Sequence, residues 1–315
     1  MPEKLTNVTL ITEFLLMGFP DDQVLQRLYA SFFSLVYLAA LMGNLLIITL
    51  TTIDQHLQSP MYFFLKNLSL IDICYISVTV PKSVMNSLTN SHSISFVGCA
   101  SQVFLVVFFA GTEFALLLVM SYDRYAAICC PLHYEAIMNR GACVQMVRAS
   151  WFSGCVYGSI HVAGTFSVHF CGSNIVHQFS CDIPSLLTLV CSREQILEYV
   201  FIIVSFGFAF VYFTLMVASY AYVVSTVLRI PSSQGRFKTF STCMPHFTVV
   251  TLFLSSGYTA YLGLNSKSSS SLNLFMSVLY SLLPPSLNPV IYSLRNRDMK
   301  AALGKIFGDK MTTNI

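Results

Sequence analysis

FSLVYLAALMGNLLIITL, residues 33–50, runs for eighteen residues without a charged side chain. A membrane strand alternates apolar and polar residues, and this stretch is continuously apolar, so it reads as helix. A helix needs about 20 mostly apolar residues to cross a hydrocarbon core about 30 Å thick. Extended to its natural limits the stretch becomes 26–52. Six more segments qualify, at 60–81, 97–129, 143–164, 197–228, 239–262 and 272–293. Several contain Pro, Gly or Ser, which spanning helices tolerate where neighbours satisfy the freed backbone groups. The fourth is the most dilute, through Ser153, Gly154, Gly158 and Ser159, yet small residues let helices pack closely in lipid. The expected fold class is an all-α membrane protein with a seven-transmembrane helix bundle.

Composition agrees. Of 315 residues, 55% are apolar and only 10% charged, against roughly 25% charged in a soluble domain; mean hydropathy is +0.68. This excludes a cytosolic enzyme, a nucleic-acid binder and a disordered chain. Orientation follows from Lys and Arg near the span ends. With the N-terminus outside, the outer side carries five (Lys4, Arg27, Lys82, Arg193, Lys267) and the inner side the other twelve of the 17. The first 25 residues hold no basic region followed by a short apolar core, so no cleaved signal peptide is expected. The chain reads as a single domain over 1–315: an outer segment 1–25, the bundle 26–293 and an inner tail 294–315. In the tail, RNRDMKAALGKIFG (295–308) predicts a short amphipathic helix. Its Met299, Leu303, Ile306 and Phe307, with Leu294 before them, are expected to face lipid at the inner leaflet.

Ten cysteines are present. Cys74, Cys129, Cys130, Cys143, Cys155 and Cys243 fall in spans or at inner ends and read as small buried hydrophobes. Cys99, Cys171, Cys181 and Cys191 lie on the oxidising outer side, where four cysteines allow three connectivities. Asn7-Val8-Thr9 is a glycosylation acceptor in an outer segment. His92, His161, His169 and His177 lie at or near the outer mouth without the spacing of a structural zinc site, so no metal centre is expected. No Walker loop, GxSxG, HExxH or GxGxxG occurs, and no cofactor is implied.

Ionisable residues inside spans are costly and usually functional. Asp72 falls mid-span in the second segment and Glu113 in the third. Arg124 lies eleven residues after Glu113, three turns plus about 20°, so the two share a face. Cys99, Val103, Val106 and Ala110 continue that face outward. Such a helix belongs at a bundle centre, where Asn44, Ser241 and Asn288 from other spans can join a water-and-ion network.

Five strings complete the reading: LQSPMYFFLKNLSLID (57–72), MSYDRYAAIC (120–129), SY (219–220), KTFSTCMPH (238–246) and PSLNPVIYSLRN (285–296). With Gly43-Asn44 and HQFSCD (177–182), this ordered set resembles the olfactory receptors, rhodopsin-like G-protein-coupled receptors, over nearly the whole chain. The resemblance implies disulfides Cys99–Cys181 and Cys171–Cys191. It implies an inner switch at Asp123-Arg124-Tyr125, with Tyr220 and Asn288, Pro289 and Tyr292 as its partners on the fifth and seventh helices. Asp72 and Glu113 match the acids of a sodium-type pocket, with Asn44 and Asn288 in the same network. The implied partners are a small odorant and a heterotrimeric stimulatory, olfactory-type G protein that raises cyclic AMP. Ser121, Gln58 and Thr239 depart mildly from the usual pattern. Helix six departs more, reading Phe253-Leu254-Ser255 where the family has Phe-Tyr-Gly, which removes the usual tyrosine beneath the ligand.

An apolar odorant pocket is then expected from Val103, Val106, Val107 and Ala110 on the third span, Val204, Ser205 and Phe208 on the fifth, and Tyr258 and Tyr261 on the sixth. A receptor for another small ligand is the alternative within the same fold. An amine ligand is disfavoured because VFLVVFFA (103–110) offers no acid, and a retinal pigment because 272–293 has no Lys. A transporter would show inverted repeats, and none is visible.

Overall fold

A computed structural model describes residues 12–17, 22–89, 92–170, 174–176, 178–191, 195–262, 270–295 and 297–308; side chains at the start of the fifth long helix and through much of the sixth and seventh lie outside that description. Seven long helices cover the seven apolar segments: α1 (Gln23–Ile53), α2 (Pro60–Thr89), α3 (Phe96–Cys129), α4 (Arg140–Phe166), α5 (Gln195–Leu228), α6 (Ser233–Leu262) and α7 (Ser270–Arg295). The amphipathic α8 (Arg297–Gly308) follows. Among the described residues, α1, α2, α3 and Phe206–Leu228 of α5 are long and apolar enough to cross a membrane by length and composition. Three starts are set by side-chain caps on otherwise orphaned backbone N–H groups. Asp22 accepts from Val24 and Leu25, Ser95 from Gly98, and Asn139 from Ala142.

Two boundaries and the orientation of the tail helix differ most from expectation. α2 continues eight residues past 81, carrying Pro81 inside it. α6 begins at Ser233, six residues before the apolar run, in a polar inner-side turn. The tail helix turns Met299, fully buried, and Ala302 into the bundle core, not toward lipid, because α8 folds back against α7, α1 and the turn after α1.

α3 packs on α2, α4 and α5, most extensively on α4. The α3–α4 approach requires glycine. A Cβ at Gly154 would stand 2.0 Å from Thr112 Oγ1 and 2.6 Å from the Phe108 carbonyl, and one at Gly158 would stand 3.1 Å from the Phe104 carbonyl. The small residues that dilute the fourth segment are therefore the surface that admits α3. Around α3 lies the main apolar core, which includes Phe64, Leu68, Leu116, Leu117, Met120 and Tyr292.

The outer end carries a small sheet not anticipated from the sequence. β1 (Glu13–Leu16) lies between β2 (Ser93–Ser95) and β3 (Ile175–Val176), antiparallel to the first and parallel to the second. The N-terminal segment is thereby built into the outer cap.

Gly154→Val is expected to destabilise the purified protein by about 1–3 kcal/mol or more through overpacking, read as a lower thermal midpoint and lost surface delivery. Gly207→Ala, where a Cβ meets nothing within 4 Å, is the matched control and should leave both unchanged.

Candidate functional site

Three levels of α3 carry polar chemistry. At the outer end, Cys99 is bonded to Cys181, with Cα atoms 5.6 Å apart, closing 82 residues of chain. The long loop is also held by hydrogen bonds. The Cys181 amide donates to Gln102 Oε1 at 2.9 Å, Gln102 Nε2 donates to the Val78 carbonyl at 3.0 Å, and the Ser83 hydroxyl donates to the Phe179 carbonyl at 3.0 Å. Gln102 therefore clamps the loop to both α2 and α3, a role the sequence reading missed. Asp182 caps the short helix Ile183–Leu187 that follows. Cys191 is also held in a disulfide, while its expected partner Cys171, like Asn7 and His177, lies outside the described residues. The six remaining described cysteines are not in disulfides.

At mid-depth, α2, α3 and α7 meet at three buried polar side chains. Asn288 Nδ2 donates to Asp72 at 3.1 and 3.3 Å and to Glu113 Oε1 at 3.3 Å. Asp72 is 1% and Glu113 2% exposed. Asn44 does not join this group; its amide donates to the Ala40 and Pro285 carbonyls at 3.0 and 2.9 Å, tying α1 to α7 instead. Asn288 Oδ1 is buried with no hydrogen-bond partner among the described residues. The carboxyl oxygens of Asp72 and Glu113, which meet at the Asn288 amide, are donors of the kind hard cations take. No cluster of three His, Cys, Asp or Glu occurs among the described residues.

At the inner end, Arg124 Nε donates to Asp123 Oδ2 at 3.0 Å and Nη2 reaches the same oxygen. The Tyr134 hydroxyl donates to the other oxygen, Oδ1, at 2.7 Å. Asp123 is fully buried, so the pair and the phenol satisfy it where water cannot. Tyr134 sits in the inner loop, on the helical turn Tyr134–Ile137. Its burial first, then the Asp123 carboxyl beside it, pushes the phenol pKa up, which keeps it a donor. The Tyr220 hydroxyl pairs with His246 Nδ1 across α5 and α6, and the two rings stack at 5.8 Å. Tyr292 of α7 is fully buried nearby, its hydroxyl without a partner among the described residues. Tyr125 packs against the inner cluster of Val223, Val227 and Cys243 and lies edge-on to Tyr222 at 5.9 Å. Pro289 sits against α1, where a Cβ on Gly43 would be 2.9 Å from its own. Tyr134 and His246 were not anticipated as partners of Asp123 and Tyr220. Both lie in or near quoted strings, but only the fold brings them to Asp123 and Tyr220.

The expected odorant residues divide. Val103 is buried beneath the disulfide and Val107 borders the same cluster, whereas Val106 and Ala110 pack against the main core. Val204 and Phe208 are 44% and 53% exposed on α5. The side chains of Ser205, Tyr258 and Tyr261 lie outside the described residues. Beneath the α3 set, Phe114 stacks on Phe253 of α6 (5.6 Å, 18°) and meets Tyr212 of α5 at 5.8 Å. This aromatic trio joins three helices one residue from Leu254. An apolar crevice of about 330 Å³, counting its open mouth, lies elsewhere, among Leu46 and Leu50 of α1, Val290 of α7 and Leu303 of α8.

Comparison with known proteins fits this geometry. The family model described as olfactory receptor matches residues 33–310. Human Olfactory receptor 14L1 is 54% identical over 302 residues, covering 96% of this chain and 93% of that protein. Human Olfactory receptor 14A16 is 52% identical over 308 residues, covering 98% and 99%. Mouse Olfactory receptor 1E16 is 42% identical over 301 residues, covering 96% of each. The chain is thus a multi-pass membrane protein with the seven-helix bundle, and it belongs to the olfactory receptor family.

Proposed function

We propose that the chain is an odorant receptor that binds a small, mostly apolar volatile at the outer half of α3 and activates a stimulatory, olfactory-type G protein to raise cyclic AMP. It forms one receptor unit over 1–315 and has no enzymatic role. The observation that carries this reading is the layout of α3. Its outer end is fixed by Cys99 to the loop, its middle meets α2 and α7 at Glu113, and its inner end holds Arg124 on Asp123. One rigid rod thus links the level where a ligand would bind to the level where a G protein would dock.

Burying each aliphatic carbon of a ligand gains about 0.8 kcal/mol, and one tyrosine hydrogen bond about 1 kcal/mol. Ordering costs reduce the sum. A shift from 1:99 to 99:1 needs about 5.5 kcal/mol of differential affinity, so a small volatile produces a partial shift of population. Tyr258 and Tyr261 are three residues apart, the spacing of one helical face, and would supply direction. If a sodium ion binds, Asp72 and Glu113 would hold it. Cys171 pairs with Cys191, and Asn7 carries the glycan.

The test is a cyclic AMP screen of cells expressing the chain against a broad odorant panel, with guanine-nucleotide sensitivity as the control; substrate flux without nucleotide sensitivity would instead mark a transporter. Arg124→Ala should abolish evoked cyclic AMP with near-normal surface level, because Arg124 lies about 37 Å along the helix from Cys99, counting 25 residues at 1.5 Å each. Full signalling by that variant would remove the switch assignment. Val106→Phe, Ala110→Leu and Tyr258→Phe should each shift agonist potency at matched surface level; three unchanged dose–response curves would place the pocket elsewhere. Tyr134→Phe removes one hydrogen bond from Asp123, about 1 kcal/mol, and should raise basal cyclic AMP by about fivefold, while a basal level equal to the parent's would show that this bond does not restrain Arg124.

A further inference from the structure

Phe14 is fully buried although it stands in the N-terminal segment, nine residues before α1 begins. Its ring stacks on Phe96, the first residue of α3, at 6.1 Å and 21°, and meets Phe170 of the long loop edge-on at 5.5 Å and 82°. Phe166 at the end of α4 closes the group, 5.2 Å from Phe96 and 6.1 Å from Phe170. The same apolar cluster holds the Cys99–Cys181 pair and Val103, with Val107 at its edge.

Register fixes the ring in place. Phe14 is opposite Ile94 of β2, and Leu15 is opposite both Ser93 of β2 and Ile175 of β3. A one-residue slip would turn every side chain of the strand to the other face, and pairing on both edges of β1 opposes it. Neither a lone loop nor the disulfide would hold an aromatic ring there with such definition.

We propose that Phe14 is the roof of the odorant site, a positioning residue that fixes how far outward a ligand can reach by holding Val103 and Val107 of α3 in place. The proposal rests on the pocket reading given under Proposed function. The ring shares one buried cluster with Val103, and Val107 packs at the edge of that cluster, so a ligand lying along Val107 would end where the aromatic group begins. Replacing the ring by a methyl opens that end, and longer ligands then gain relative to shorter ones.

Two measurements test it. In the first, Val107→Cys is labelled on intact cells with a charged, membrane-impermeant thiol reagent, with the parent chain as background. Labelling should be slow with Phe14 present and several-fold faster in Phe14→Ala; equal rates, or fast labelling with Phe14 in place, overturn the roof. In the second, cyclic AMP dose–response curves are taken for straight-chain aliphatic alcohols and aldehydes at matched surface level. The potency ratio of longer to shorter members should rise by up to about fourfold per methylene newly admitted, with Phe14→Leu intermediate. Uniform loss across the series indicates support of the fold alone and overturns the discriminating role. Phe14→Leu replaces Phe14→Ala in both measurements if the latter fails to reach the surface. If Val106→Phe leaves every potency unchanged, or no member activates the chain, the α3 pocket reading fails, while the labelling rates still decide whether Phe14 closes the outer end.

Discussion

The amide of Asn288 stands between two carboxyls in the middle of the membrane. Asp72 and Glu113 come from different helices and are almost fully buried, and Asn288 Nδ2 is the donor that reaches both. Buried polar groups without partners cost a few kcal/mol each in protein interiors. Three helices must therefore keep a common register at this depth. The levels above and below inherit that register, because α3 carries Cys99, Glu113 and Arg124 on one rod.

Close packing transmits the constraint sideways. Gly154 lets α4 lie on the backbone of α3 at Thr112 and Phe108, one residue from Glu113. Phe114, the next residue, carries the contact to α5 and α6 through Tyr212 and Phe253. The usual helix-six tyrosine is absent here, and an aromatic contact from the neighbouring position occupies the same region. Packed interiors change between discrete arrangements more readily than they deform. Tyr220 and His246 pair farther in along the same two helices.

Continuous apolarity made the seven spans legible, and helical spacing placed Glu113 and Arg124 on one face. The quoted strings carried the resemblance that the family match and the close relatives then established. The sheet at the outer end was hidden because its strands are two to four residues long and come from three distant parts of the chain. The inward turn of Met299 was hidden for a related reason: an amphipathic helix at a bilayer surface and one docked on a bundle share a pattern. Asn44 was expected beside Asp72, yet backbone carbonyls of α1 and α7 supply nearer acceptors. Tyr134 and Gln102 could be found only from the fold, since nothing local marks a tyrosine or a glutamine whose partner is 11 or 79 residues away.

The most direct test of the central constraint is a double-mutant cycle on thermal unfolding of the purified receptor, using Asn288→Ala, Glu113→Ala and both together. Residues in one hydrogen-bonded network show coupling of about 0.5–3 kcal/mol. The account predicts that each single change lowers the thermal midpoint and that the pair costs clearly less than the two separate losses added. Strictly additive losses would show that Asn288 and Glu113 act independently, and would contradict the view that one amide holds α2, α3 and α7 in register.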